Sequence, residues 1–183
     1  MTNAEIAEEY LKEVFTENPA YSFGDWTIMY QHSLNVRDLA LKIAEQVECD
    51  KELLELFALF HDIGKAFKAD YMYLHEHHEE LGFNVAEPIL SRLSLTAEQL
   101  AKLTEFLKGD LSSLEANVMK DADTLAFFMD EKLQDLFKKW ADEKGLVGEL
   151  QRKADKYQKL KFEISRKMGK EAHDKMCQKF QLI

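Results

Sequence analysis

Apolar residues recur along this chain with a period near 3.6, the spacing that gathers them on one face of an α-helix. Ile6, Tyr10, Leu11 and Val14 share such a face and predict a first helix that ends before Asn18-Pro19. Asp25 can cap a second helix, with an inward stripe of Ile28, Val36, Leu39, Ile43 and Val47. Asp50 can cap a third, and its segment from Leu53 to Phe60 is apolar on nearly every face. A short helix of that kind belongs at the centre of a core. Gly64 offers it a stop, and Lys65 to Asp70 reads as a surface loop. A fourth helix is predicted from about Leu74 to Arg92. Thr96 with Gln99 has capping-box spacing and opens a fifth, which Gly109-Asp110 closes. Ser112 with Glu115 repeats that spacing ahead of the apolar segment Val118 to Met129. Beyond Glu131 the pattern predicts amphipathic helices with breaks at Gly145 and near Gly169. No strand pattern emerges. The expected fold class is all-α, a compact bundle of eight or so helices.

Composition agrees with that reading. The 183 residues include only 2 prolines and 7 glycines, which all-β folds use freely in turns. A chain of this length suits one domain with a substantial core, and no repeat or Pro/Gly/Ser linker marks a boundary within 1–183. A formal net charge of −10 argues against a nucleic-acid polymer as partner, because the phosphate backbone would be repelled. It leaves room for a small phosphorylated ligand held by local lysines. Cys49 and Cys177 are too few for a disulfide framework and match no zinc-finger spacing. No apolar run approaches a membrane span, and the N-terminal MTNAEIAEEY does not read as a signal peptide. A cytoplasmic globular protein is expected, and a homo-oligomer is compatible with the sequence.

The informative chemistry is His61-Asp62, which follows Leu59-Phe60 at the end of the most apolar helix. An unpaired carboxylate buried there costs several kcal/mol unless it is hydrogen-bonded, ion-paired or bound to a metal. Imidazole nitrogen and carboxylate oxygen suit borderline divalent ions. The alternative is a helix-ending pair in which Asp62 accepts backbone hydrogen bonds and His61 is a core residue. His32 lies on the second helix near Ile28 and Val36 and should also face inward. Asp121 and Asp123 are acidic insertions in another apolar helix, and residues two apart on a helix point in different directions. One of the two is expected to reach a shared ion.

The order His32, then His61-Asp62-Ile63-Gly64-Lys65, then Ala122-Asp123-Thr124-Leu125 resembles the HD superfamily of metal-dependent phosphohydrolases, over roughly residues 25–130. The stretch Tyr157 to Phe180 resembles, more weakly, the helical tail of small members. The resemblance implies an HD-domain helical bundle in which His32, His61, Asp62 and Asp123 hold a divalent ion (Mn, Mg, Fe, Co, Ni or Zn). The family's Ala-Asp-x-Leu context selects Asp123 over Asp121, with both kept as candidates. His78-Glu79-Glu80-Leu81-Gly82 resembles the family's His-x-x-x-Gly element, which places His78 at the site ahead of His75 and His77. Members with two metals carry further histidines shortly before the last aspartate. Glu105 to Asp110 contains none, which favours a single ion.

On this reading Asp62 is ligand and base, and His78 stabilises phosphoryl oxygens or protonates the leaving alcohol. Lys65, Arg37 and Lys108 are candidate contacts to substrate phosphate, Lys65 first because it belongs to the motif. Hydrolysis of a phosphate ester, of a nucleotide or small phosphorylated metabolite, is the expected activity. A di-iron HD-type oxygenase and a non-catalytic sensor of metal and nucleotide are the alternatives.

Overall fold

Short polar side chains set the helix starts. Thr2, Asp25, Asp50, Asp70, Thr96 and Asp130 each accept a backbone N–H from the first turn that follows, which satisfies donors that a helix leaves without a partner. They open α1 (Asn3–Glu17), α2 (Trp26–Ile43), α3 (Lys51–Phe60), α4 (Tyr71–Leu90), α5 (Ala97–Leu107) and α7 (Glu131–Glu143). The others are α6 (Leu114–Met129), α8 (Glu149–Asp155) and α9 (Glu163–Phe180). The structure, a computed structural model, describes residues 1–22 and 24–183, and among these there is no strand. The fold is all-α. No helix among the described residues is long and apolar enough to cross a membrane. The chain divides into two units, Met1–Met119 and Lys120–Ile183.

In the first unit α3 is central, as its uniformly apolar sequence predicts. Leu53, Leu54, Leu56, Phe57, Ala58, Leu59 and Phe60 are all buried, and α3 packs against α1, α2 and α5. Phe57 stacks on Phe106 of α5 at 4.0 Å between ring centroids. The inward stripe of α2 is Met29, His32, Ser33, Val36, Leu39, Ala40 and Ile43. Ile28 lies at its half-buried edge, and Val47 falls beyond the end of the helix.

Immediately after α3 the sequence expectation needs correction. The segment from Lys65 is not a surface loop at its start, because Ile63–Ala66 forms a 3-10 turn with Ile63, Gly64 and Ala66 buried. Lys65 N–H donates to the Asp62 carbonyl at 2.9 Å to close that turn. Gly64 does not stop α3, which ends at Phe60. Its role is close approach: a Cβ there would lie 1.9 Å from the His78 carbonyl oxygen of α4. That contact lets α4 pack along the turn. α4 itself starts earlier than the periodicity suggests, at Tyr71, because Asp70 caps it.

The box predicted at Ser112 forms differently. Ser113 Oγ accepts from Ala116 N–H at 3.1 Å, so α6 begins one residue later than that spacing implies. The Glu115 carboxylate accepts instead from Asp50 N–H at 3.2 Å.

In the second unit, Gln134 is buried and donates to the carbonyls of Phe127 and Phe128, closing the end of α6. Gly145, at φ +66, ends α7 as expected. Gly169 does not break its helix: α9 runs through it from Glu163 to Phe180. A Cβ at Gly169 would lie 2.4 Å from Leu125 Cδ2, so this glycine serves packing.

The two close-approach glycines should therefore differ. Gly64→Ala meets rigid backbone and should cost about 3 kcal/mol or more. Gly169→Ala meets a side-chain methyl that can turn aside and should cost about 1 kcal/mol. Urea denaturation of the two variants checks this, and equal losses would contradict the assignment.

Candidate functional site

The end of α3 carries a carboxylate into the core. Asp62 follows the last turn of α3, and only 6% of its surface is exposed. Three imidazoles and one ammonium surround it. Lys65 Nζ lies 2.6 Å from Asp62 Oδ2. His61 Nε2 is 3.3 Å and His32 Nε2 is 3.8 Å from the same oxygen. His78 Nε2, from α4, approaches Oδ1 at 3.5 Å. The His32 and His61 rings meet edge to face with centroids 5.3 Å apart. Residues from α2, the end of α3, the 3-10 turn and α4 thus converge on one carboxyl group.

Backbone carbonyls orient two of these rings. His61 Nδ1 lies 2.8 Å from the Ala58 carbonyl and His78 Nδ1 lies 3.1 Å from that of Leu74. A carbonyl only accepts, so each Nδ1 carries the proton and donates. Each ring then turns its Nε2 toward an Asp62 oxygen, and a proton or a metal ion shared between the two satisfies both. A histidine held through its other nitrogen is the usual arrangement of a metal ligand. Donors about 2.1 Å from one ion lie roughly 3.0–3.4 Å apart, so the His61–Asp62 separation fits a shared divalent ion.

The electrostatics follow from burial and its compensation. Burial pushes the Asp62 carboxyl up, but the Lys65 ammonium, with His61 and then His78, more than reverses this and holds it well below the usual carboxylate range. Burial, with Lys65 beside it, pulls His78 below its ordinary value against the opposing charges of Asp62 and Glu79. At neutral pH His78 is therefore a neutral ring offering Nε2 as an acceptor.

The second unit separates the two aspartates of α6. Asp121 is buried, and its carboxylate accepts the backbone N–H groups of Lys161 and Phe162 at 3.0 Å. It thereby caps α9, whose N-cap Phe162 provides no side-chain oxygen. Asp123 has a side chain 28% exposed and 3.9 Å from Lys156 Nζ. Asp121 is thus engaged in holding the fold, and Asp123 remains the aspartate of this pair whose oxygens suit a ligand role.

Two expected phosphate contacts are not grouped with this cluster. Arg37 is paired with Glu8 at 2.7 Å and Asp38 at 3.0 Å. Five residues along a helix, it points roughly 140° away from His32. The Lys108 ammonium sits 4.6 Å over the Phe83 ring at the exposed end of α5. Of the competing histidines, His77 pairs with Glu76 and Glu80. His75 Nδ1 lies 3.4 Å from the Tyr21 hydroxyl. Sequence reasoning missed Tyr21 and Tyr71, whose rings stack at 4.7 Å beside Lys65. Neither belongs to a periodic stripe, so only their aromatic character near the motif could have signalled them.

The family model described as HD domain matches residues 29–127. No curated protein and no solved structure matches the chain.

The Lys65–Asp62 pair yields a stability test in metal-free protein. Removing one partner of a buried ion pair is costly, whereas replacing both is not. Lys65→Met should cost about 3 kcal/mol, and Lys65→Met combined with Asp62→Asn should recover much of it. Asp62 also fixes a pH dependence. Its native carboxyl titrates below its ordinary value, so its stabilisation is full above about pH 4 and drains away as pH falls through the lower native value. Denaturant titrations across acid pH should show that loss in the native protein and not in Asp62→Asn. A wild-type stability flat through this range would contradict the depressed carboxyl.

Proposed function

This chain belongs to the HD domain family, and from that premise we propose that it is a metal-dependent phosphohydrolase acting on a small phosphate ester, a nucleotide or related metabolite. The observation that carries the reading is the buried Asp62 carboxylate ringed by His32, His61, His78 and Lys65. His32, His61 and Asp123 each offer one ligand atom of a kind that a divalent ion takes. With Asp62 they form the proposed ligand set for a single ion. The family match runs from residue 29 to 127, past the end of the first unit at Met119, and we take 1–183 as one HD domain.

When bound, the ion acidifies a water molecule and offsets negative charge on the phosphoryl group. The chain supplies the proton path. Asp62 Oδ1 accepts the proton of the attacking water, and His78 Nε2 stands 3.5 Å from that oxygen to receive it in turn. As the water oxygen bonds to phosphorus and the ester P–O bond breaks, the proton passes from His78 to the leaving alkoxide. Phosphate and an alcohol are released. The Lys65 ammonium, next to Asp62 Oδ2, contacts a phosphoryl oxygen and lowers the charge that Asp62 must tolerate. Arg37 and Lys108 take no part in this scheme.

Phosphate release from a panel of nucleoside monophosphates and small esters, with added Mn²⁺, Mg²⁺, Co²⁺ or Ni²⁺, tests the proposal. Release is expected with at least one pair of ester and ion and should disappear with a chelator or in Asp62→Asn. No release from any ester would refute it. His78→Ala should lower kcat by about 10²–10⁴, the usual contribution of a positioned proton carrier. His78 must be neutral to receive the proton, so the acid limb of kcat should lie below pH 6.5. His78→Gln should lack that limb, and an unchanged profile would remove His78 from the proton path.

A further inference from the structure

We propose that Tyr21 is the positioning residue for Lys65, its ring holding the ammonium beside Asp62 with N–H groups left over for a phosphoryl oxygen. This rests on the phosphohydrolase reading. A lysine reaches its target through a flexible four-carbon stem, and a single partner does not fix where the ammonium sits. Here it has two. Lys65 Nζ is 2.6 Å from Asp62 Oδ2 and 4.6 Å from the centroid of the Tyr21 ring, whose face it overlies.

The chemistry of the second partner matters. A carboxylate in that place would take a further N–H and neutralise the charge. An aromatic face attracts the cation through its quadrupole and accepts none of its hydrogen bonds in the ordinary sense. An ammonium carries three donors, so one N–H on Asp62 leaves two for a substrate.

The ring that does this is itself held. Tyr21 stands in the 3-10 turn Ala20–Ser22 and stacks on Tyr71, at the first position of α4, with planes 12° apart. Its hydroxyl lies 3.4 Å from His75 Nδ1. Tyr71 and His75, four residues apart on α4, face the same way and stack at 6.0 Å. Tyr21 also lies 6.5 Å from the His78 ring. The start of α4 thus sets the Tyr21 plane, and Tyr21 sets the ammonium, while the same helix delivers His78 to Asp62.

Two measurements test this. In metal-free wild-type protein, ring current from Tyr21 should shift the Lys65 ε-CH₂ resonance upfield of ordinary lysines. Tyr21→Phe should keep that shift and Tyr21→Leu should lose it. Inorganic phosphate then serves as probe, titrated into protein saturated with Mg²⁺. Tyr21→Leu should raise its Kd about two- to thirtyfold, the range expected of a lost cation–π contact, and Tyr21→Phe should restore wild-type binding. In a Lys65→Met background Tyr21→Leu should have no further effect, because the group it positions is gone. An unshifted wild-type Lys65 resonance would overturn the proposal, as would a Tyr21→Phe as weak as Tyr21→Leu or additive effects in the double variant. If wild-type protein binds no phosphate and cleaves no ester, the phosphohydrolase reading fails, and the Lys65 resonance still decides whether the ring holds the ammonium.

Discussion

A carboxylate delivered to the end of an apolar helix must meet positive charge, and the first unit of this protein is arranged around that requirement. Asp62 is buried behind seven buried apolar residues of α3. Leaving it ionised and unpaired would cost several kcal/mol. The structure answers with Lys65 at 2.6 Å and three imidazole nitrogens within 3.8 Å. The 3-10 turn after α3 brings Lys65 back onto Asp62. Gly64 in that turn admits the α4 backbone closely enough for His78 to reach the other oxygen. The cluster therefore depends on packing as much as on charge.

The same cluster explains why the sequence was so legible here. His61-Asp62 interrupts the most apolar segment of the chain, and such a violation of hydrophobic patterning needs a local cause. The caps at Asp25, Asp50 and Thr96 were also readable, because a short polar side chain before an apolar-periodic run has one main use. Features set by contact between distant segments were not. Gly169 looks like a helix breaker to any local rule, yet it lies inside α9 where Leu125 leaves no room for a Cβ. Lys65 reads as a surface residue because lysines are, and only the position of Asp62 turns it inward. Ser112 and Ser113 are adjacent and chemically alike, so spacing alone could not decide which caps α6.

The candidate site divides along the same line. His32, His61 and Asp62 were legible from their place in apolar surroundings and from the family's motif order, and His78 from the motif alone. Periodicity separated the directions of Asp121 and Asp123 without saying which meets a ligand, and the family's motif context favoured Asp123. The use of Asp121 depends on Lys161 and Phe162, about forty residues away, whose amides engage it. Arg37 and Lys108 behave differently. Glu8 and Asp38 engage Arg37, which stands five residues from His32, and the Lys108 ammonium lies over the Phe83 ring. Nearness along a helix does not imply a shared face, and a charge without a buried partner carries little information.

In the function proposed above, Asp62 holds one divalent ion together with His32 and His61 among its ligands. Calorimetric titration of metal-free protein with Mn²⁺ or Co²⁺, confirmed by elemental analysis of the dialysed complex, tests it most directly. One tightly bound ion per chain is expected, with affinity falling sharply in His61→Ala and Asp62→Ala. Absence of binding, two tight ions per chain, or affinity unchanged in both variants would contradict it.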